Sequence, residues 1–388
     1  MRERNDARSD PDRPRLDAEE RRRSDAVVAR LRAVADPDGF VPFDRYMELA
    51  LYAEGLGVYG RDRSPLGTEG DFYTAVHVHP LFGETVAERI RTVRRVLGRD
   101  RPFRIVELGP GDGTLAATVL GALSSAPEGT HGLDYLLVER SSRLGRTALE
   151  KVESAGRAAG VPVRMASAAG ADGPVRGVVL ANEVLDAQPA RRLRWNGTVW
   201  TELGVRVVEG RVVPAESDRV PPVPSPALDP PPRPGTVLEV SPAAEAVVRE
   251  IADHLVEGEF VAIDYGAEES ELVAGHPLGT LAAVHRHRTV DPYEAPGVAD
   301  LSVFVNFTRV RAAARRAGLE EIAYCSQAEA LGFWGLPALV DAAVRAAPSA
   351  EAEVRVRLSV KSLLFGFERF RVLELAARPT AEALRRVT

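Results

Sequence analysis

The stretch Arg104-Ile-Val-Glu-Leu-Gly-Pro-Gly-Asp-Gly-Thr-Leu115 constrains this chain more than any other. Ile105, Val106 and Leu108 predict a short buried strand. Gly109, Gly111 and Gly113 follow at alternate positions, and Leu115 to Leu120 has the composition of a helix. Strand, glycine turn and helix in that order bring backbone N–H groups and a helix N-terminus against a bound group. Glycine suits the turn because a side chain would block close approach and because such turns often need positive φ.

The spacing selects among ligands. A dinucleotide loop wants G-x-G-x-x-G, and its third glycine would fall on Thr114. The pattern present is Glu-x-Gly-x-Gly-x-Gly with Glu107 at the strand end. It resembles motif I of the class I S-adenosylmethionine (AdoMet) methyltransferases. An acid at that place suits a cofactor with an ammonium and a sulfonium and would repel a pyrophosphate, which disfavours a nicotinamide oxidoreductase.

With 388 residues the chain can bury a large core and hold two or three subdomains. A net charge of -6 argues against a dedicated nucleic-acid binder. The one cysteine, Cys325, rules out an intrachain disulfide or a cysteine-rich zinc site and fits a reducing compartment. It follows an apolar run, which predicts a buried structural thiol. No uninterrupted apolar run is long enough for a membrane span. Residues 1–23 mix arginines with acids, unlike a transit peptide or a secretory signal, and predict a disordered mixed-charge tail. The arginine-rich, lysine-poor composition suggests a bacterial source and a cytoplasmic location.

Residues 24–100 read as an N-terminal helical cap region. Ser24 is the expected cap of a helix carrying Val27, Val28, Leu31 and Val34, and Pro42-Phe43-Asp44 opens a second helix with Tyr46, Met47 and Leu51. A third runs from about Pro80 to Leu97. His77 and His79 lack a third ligand nearby, so they read as surface or supporting residues and no metal is expected. Residues 101–190 form the first part of an α/β core. Its second strand, Leu133 to Val138, ends in Glu139, the position that commonly accepts ribose hydroxyls. Its fourth, Arg176 to Ala181, leads into Asn182-Glu-Val-Leu-Asp-Ala-Gln-Pro189, so Glu139 and the carboxylates Glu183 and Asp186 should border one crevice. The alternation then breaks. Residues 191–236 combine hairpins at Asn196-Gly197 and Glu209-Gly210 with a connector holding eight prolines between Pro221 and Pro234. The core resumes over 237–266, residues 276–307 lack helical period, and 308–378 complete the core.

The motifs together resemble the MidA-like methyltransferases, the family of the mitochondrial arginine methyltransferase that assists assembly of respiratory complex I. The matching segments are Gly70 to Thr74, Pro80 to Glu84, Glu107 to Leu115, Asn182-Glu183 with Asp186-Ala187 and Pro189, Glu239 with Ser241-Pro242, and Asp264-Tyr-Gly266. Gly279 to Leu281, His287-Arg288, Pro296-Gly297 and Asp300 to Phe307 complete the set, in family order. The chain departs at Val184-Leu185, where the family tends to have an aromatic pair, at Val76 to His79, and at Asn306, where an aspartate is expected.

The resemblance implies an α/β, Rossmann-like doubly wound sheet with an N-terminal helical region and an inserted β-rich, irregular substrate lobe. It implies AdoMet as cofactor, bound by Glu107, Gly109, Gly111, Gly113 and Glu139, with His287, Arg288 and Asp300 in the substrate lobe. The activity implied is methylation of a protein arginine, with Glu183 and Asp186 clamping the guanidinium. An AdoMet-binding assembly factor with little catalysis is the alternative. Expected partners are a protein substrate, no nucleic acid, and a second copy of the chain, since twofold oligomers are common.

Overall fold

In the computed structural model, residues 16–60, 75–126, 129–226 and 228–387 are described. The chain opens with α1 (Ala18–Val34), β1 (Val41–Pro42) and α2 (Phe43–Tyr52), then α3 (Ala75–Val78) and α4 (Leu81–Leu97). The first α/β run is β2 (Phe103–Leu108), α5 (Thr114–Ser124), β3 (Leu133–Val138), α6 (Ser142–Ala159), β4 (Val163–Ala166) and β5 (Val175–Asn182). β6 (Arg191–Trp195), β7 (Trp200–Val208), β8 (Arg211–Ser217) and β9 (Val237–Val240) follow. Then come α7 (Pro242–His254), β10 (Leu255–Ala267), α8 (Glu269–Gly275), β11 (Ala282–His285), β12 (Arg288–Thr289), β13 (Asp300–Ser302) and β14 (Val305–Asn306). The chain ends with α9 (Phe307–Arg316), β15 (Leu319–Ser326), α10 (Gln327–Phe333), α11 (Leu336–Arg345), α12 (Ala350–Phe365), β16 (Phe370–Ala377) and α13 (Arg378–Arg385).

The main sheet has the order β15-β16-β10-β5-β2-β3-β4, with β14 pairing alongside the end of β10. Its strands run parallel except β16, which is antiparallel to both neighbours. The central strands are apolar on both faces because helices cover both. Ile105, Tyr135 and Val178 face α4, α5 and α6, while Val106, Leu136 and Val179 face α7 and α9. Successive strands are added outward from β2 in one direction and from β5 in the other. Such a switch point opens a crevice at the carboxyl ends of the strands.

The inserted strands build a second layer. β1, β7, β6 and β9 form a sheet to which β8 adds, and β11, β12 and β13 form a small one. The β7–β8 turn takes φ of 49° at Glu209 and 83° at Gly210, the paired positive values a two-residue hairpin needs. α1 and α2 pack Leu31, Phe43, Tyr46 and Met47 against Val205, Ala283 and Leu301 of these sheets. The hairpin insertion, the 276–307 segment and the first two helices thus share one core.

Three expectations change. The first helix begins at Ala18, inside the segment read as a tail. Asp17 caps it through a capping box with Glu20, and Ser24 is buried about two turns further in. The 24–100 region does not stay together: α4 leaves the lobe and packs Phe82, Val86 and Ile90 on the main sheet beside α5. A last helix, α13, follows the final strand. Residues 1–15 and the Gly70–Thr74 motif lie outside the described residues.

α4 also buries a charge. Arg89 donates from Nε to Glu259 Oε2 at 2.9 Å and from Nη2 to Glu259 and Glu374, and Trp334 Nε1 donates to Glu374 Oε1 at 2.7 Å. All three ionic side chains are at most 3% exposed. Removing the cation leaves two carboxylates facing each other without water. Arg89→Met should lower the unfolding free energy by about 3–5 kcal/mol, measured by urea denaturation at neutral pH.

Candidate active site

The crevice beyond the strand ends holds two adjoining cavities. The larger, about 1000 Å³ and open to solvent, is lined by residues that include Tyr52, Tyr59, Gly109, Glu139, Arg140 and Glu183. The smaller, about 420 Å³, is lined by residues that include His77, Glu107, Gly109, Asp112, Asn182 and Glu183. Gly109, Gly111 and Glu183 border both.

The glycine turn leaves β2 with φ of 56° at Gly109, 59° at Gly111 and 78° at Gly113, all in the left-handed region. A Cβ at Gly109 would stand 3.1 Å from Val184 Cγ2. Gly113 has a different duty. A Cβ there would fall 2.7 Å from Val152 Cγ2 and 3.0 Å from the Ala148 carbonyl, so this glycine lets α5 pack on α6 and lines neither cavity.

Glu107 is only 3% exposed and accepts the Tyr135 hydroxyl at 2.5 Å. Burial pushes its pKa up to about 8, the Tyr135 bond opposes this, and the charge of Asp112 adds to it. Asp112 behaves oppositely. Burial would raise it, but His77, the Thr114 hydroxyl and backbone N–H, and Lys151 outweigh that and hold it well below the usual range. His77 Nε2 lies 3.5 Å from Asp112 Oδ2, and Lys151 Nζ lies 3.1 Å from the same oxygen. His79 acts locally, its Nδ1 accepting the Leu81 N–H at 3.1 Å at the start of α4. Glu139 directly follows β3 and lines the larger cavity, with Oε1 accepting the Ser141 N–H at 2.8 Å. Burial raises its pKa.

The acidic turn after β5 is the tightest part of the site. Glu183 donates its N–H to the Ile263 carbonyl at 2.9 Å, the last rung between β5 and β10, and then takes φ of 55°. A non-glycine residue there is uncommon and marks a constrained position. The constraint comes from Asp264, fully buried in β10 one residue past its last pairing with β5. Its Oδ2 accepts the N–H groups of Val184, Leu185 and Asp186 at 3.1, 2.8 and 3.3 Å, and its Oδ1 accepts the Tyr265 N–H at 3.0 Å. Burial, then Asp186 and Glu183, push the Asp264 pKa up while these N–H groups pull it down. Burial raises Glu183 to about 8, with Asp186 adding to the shift. Asp186, buried, is raised to about 6 against the pull of the Tyr265 hydroxyl bonded to its Oδ2.

The sequence-predicted residues divide accordingly. Glu107, Gly109, Gly111, Glu139 and Glu183 come together around the crevice. Asp186 stands behind the wall, with Oδ1 lacking a hydrogen-bond partner among the described residues. Asp300 also lies behind it, and Tyr59, which does line the crevice, donates its hydroxyl to Asp300 Oδ2 at 2.9 Å. His287 and Arg288 lie elsewhere: Arg286 and His287, at φ of 50° and 60°, form the β11–β12 turn, and Arg286 pairs with Glu20 at 3.0 Å at the start of α1. His77, Asp112, Tyr52 and Tyr59 were not foreseen as site residues. Only Asp112, inside the glycine turn, stood close enough in sequence to be found.

The family model for S-adenosyl-L-methionine-dependent methyltransferases matches residues 85–325. The chain belongs to this family. A superfamily member from Burkholderia thailandensis, solved bound to S-adenosyl-homocysteine, is 30% identical with a TM-score of 0.82, covering 94% of this chain and 95% of that one. The native structure from the same organism gives a TM-score of 0.79. Among curated relatives, the mitochondrial protein arginine methyltransferase NDUFAF7 homolog of Drosophila melanogaster is 29% identical over 76% of this chain and 71% of its own. The human mitochondrial protein of that name is 27% identical over 70% of this chain and 65% of its own.

The cofactor of this methyltransferase is AdoMet, and the crevice fits it. The larger cavity leads from the glycine turn past an acid at the second strand end. The smaller is rich in acceptors: Glu107, Asp112, Glu183, and Asn182 Oδ1, which is buried without a hydrogen-bond partner among the described residues. Such a lining suits a positively charged amino group. Gly111→Val would place a branched side chain at a left-handed position on the border of both cavities. We expect calorimetric titration with AdoMet to show no saturable binding to Gly111→Val, while its circular dichroism stays that of the parent.

Proposed function

We propose that this methyltransferase transfers a methyl group to an arginine side chain of a protein. The observation that carries the reading is Glu183. This acid is held on a strained turn at the junction of the two cavities. The similarity to curated relatives named protein arginine methyltransferases supports it. In this reading Gly109 and Gly111 admit the cofactor, Glu107 and Asn182 face its ammonium end, and Glu139 takes the ribose hydroxyls. Bound AdoMet supplies an electrophilic methyl on a sulfonium. The protein's own part is to orient one guanidinium nitrogen in a dry crevice and to take up its proton.

Arginine stays protonated at neutral pH, so a carboxylate must orient it and accept the proton as the nitrogen is alkylated. Glu183 suits this role by position and by a pKa raised to about 8 by burial. Asp186 and Asp264 act through it, one by charge and one by holding the turn. Glu183→Gln should leave AdoMet affinity within a fewfold of the parent and lower methyl transfer by about a hundredfold or more. Radiolabelled transfer into a lysate lacking this gene product, with arginine methylation read by mass spectrometry, measures it. Full transfer by Glu183→Gln would remove the clamp assignment. Retained AdoMet affinity with no transfer to any protein by the parent would favour an assembly factor.

The pH profile follows from the sign of the shift. Burial raises Glu183, so its carboxylate form is scarce below about 8 and dominant above. With an arginine peptide from the identified substrate, kcat/KM should climb with pH through a midpoint no higher than about 8 and level off above it. The corresponding limb of kcat should lie at lower pH, because a bound guanidinium favours the charged acid. For location we propose the bacterial cytoplasm, supported by the single cysteine. Among the described residues no helix is long and apolar enough to cross a membrane, and the curated relatives are mitochondrial.

A further inference from the structure

α2 presents an acid and an aromatic ring one turn apart, and both hold the same guanidinium. Glu48 Oε1 accepts from Arg140 Nη2 at 2.9 Å, and the Arg140 guanidinium carbon sits 4.4 Å from the centroid of the Tyr52 ring. Residues four apart share a helix face, so Glu48 and Tyr52 form one clasp. Tyr52 is fixed. Its hydroxyl donates to the Ala187 carbonyl at 2.8 Å, and its ring stacks on Tyr59 at 5.5 Å with an interplanar angle of 23°. Tyr59 is in turn tied to Asp300. Arg140 is not fixed in this way. Its side chain is 54% exposed and its ion pair with Glu48 is a surface one, a class of little net strength.

The clasp opens on the crevice. Tyr52, Tyr59 and Arg140 line the same cavity as Glu183, Val184 and Ala187, and Glu48 joins it through Arg140. Among the described lining residues Arg140 is the only lysine or arginine, while Glu139, Glu183 and Glu250 supply acids. A flat guanidinium stacks on a ring while its edge pairs with a carboxylate, which a compact, strongly hydrated ammonium does less well. We propose that Glu48 and Tyr52 form the entry subsite for the substrate's arginine, with Arg140 as the resident guanidinium that the substrate displaces. This rests on the arginine reading above. It adds a specificity element outside the reacting centre and makes Arg140 a competitor rather than a ligand for substrate.

The probes are Nα-acetyl-arginine methylamide and its lysine counterpart, titrated calorimetrically into full-length protein saturated with S-adenosyl-homocysteine. Arg140→Met should bind the arginine probe about fivefold more tightly than the parent, with the arginine-over-lysine preference increased. Tyr52→Leu should lose arginine binding and Tyr52→Phe, which keeps the ring, should retain it. A structural latch predicts the reverse, since removing Arg140 would loosen the lobe and weaken both probes. The subsite is overturned if Arg140→Met leaves the arginine probe unchanged or weaker, if it tightens both probes alike, or if neither protein binds the arginine probe up to about 20 mM. Failure of the subsite is separable from failure of the arginine reading. An unchanged Arg140→Met with arginine methylation still detected in the lysate sinks only the subsite. Tighter binding with no arginine methylation sinks only the reaction.

Discussion

The carboxylate of Asp264 is the constraint on which the site depends. β5 and β10 pair in parallel up to Asn182 opposite Ile263. Asp264 is therefore one residue past the last paired position, level with the chain as it leaves β5. Three successive N–H groups of that departing chain converge on one of its oxygens. A buried carboxyl group is costly unless hydrogen-bonded, and backbone donors in fixed geometry offset the cost while forcing the turn. Glu183 holds its left-handed φ because the residues after it are already committed to Asp264. Sheet register thus fixes the direction of an acid in the crevice, with no contribution from helix or loop propensity.

The inserted lobe is fastened to the same turn. Val303 donates its N–H to the Asp186 carbonyl at 3.1 Å, and the Tyr52 hydroxyl reaches Ala187. A second fastening lies at Glu239, whose two oxygens take Arg192 Nε at 2.9 Å and the Thr280 N–H at 2.9 Å, while Thr280 Oγ1 accepts the Phe304 N–H at 3.0 Å. Gly279 must be glycine: a Cβ would lie 2.4 Å from Glu239 Oε1, and its φ is 86°. The segments around Glu239, Gly279 and Asp264, far apart in sequence, therefore serve to seat the lobe over the acidic turn. The lobe carries the aromatic wall and the core carries the glycine turn, so a small shift between them changes the width of the crevice.

The parts legible in the sequence were those whose cause is local. Strands buried on both faces read as apolar runs, the glycine turn declared itself by spacing, and Glu139 followed from its place at a strand end. The Asp17–Glu20 capping box was equally local. It was hidden because a mixed-charge segment reads as solvated. What stayed illegible depends on register between distant segments. Asp264 stood in a recognised motif, yet nothing in the sequence says that its acceptors face residues 184–186. His77 reaches Asp112, and Arg140 reaches Glu48 and Tyr52, only because α3 and α2 fold back over the strand ends. His287 and Arg288 misled in the other direction. Their polar character reads as chemistry, but two positive φ values at residues 286 and 287 show a hairpin turn.

The electrostatics of the crevice follow from this crowding. Glu107, Glu183, Asp186 and Asp264 all have raised pKa values, with burial the largest cause in each case. Acids crowded in this way do not all ionise on their own, because several like charges cannot ionise together in a dry space. Cations reverse that balance. A positively charged cofactor beside Glu107 and Glu183 favours their ionised forms, and a guanidinium adds to the effect. The acid best placed to accept a proton is therefore most fully charged once both partners are bound. A neutral ligand of the same shape would leave it largely protonated, so the crevice discriminates by charge before it discriminates by contact.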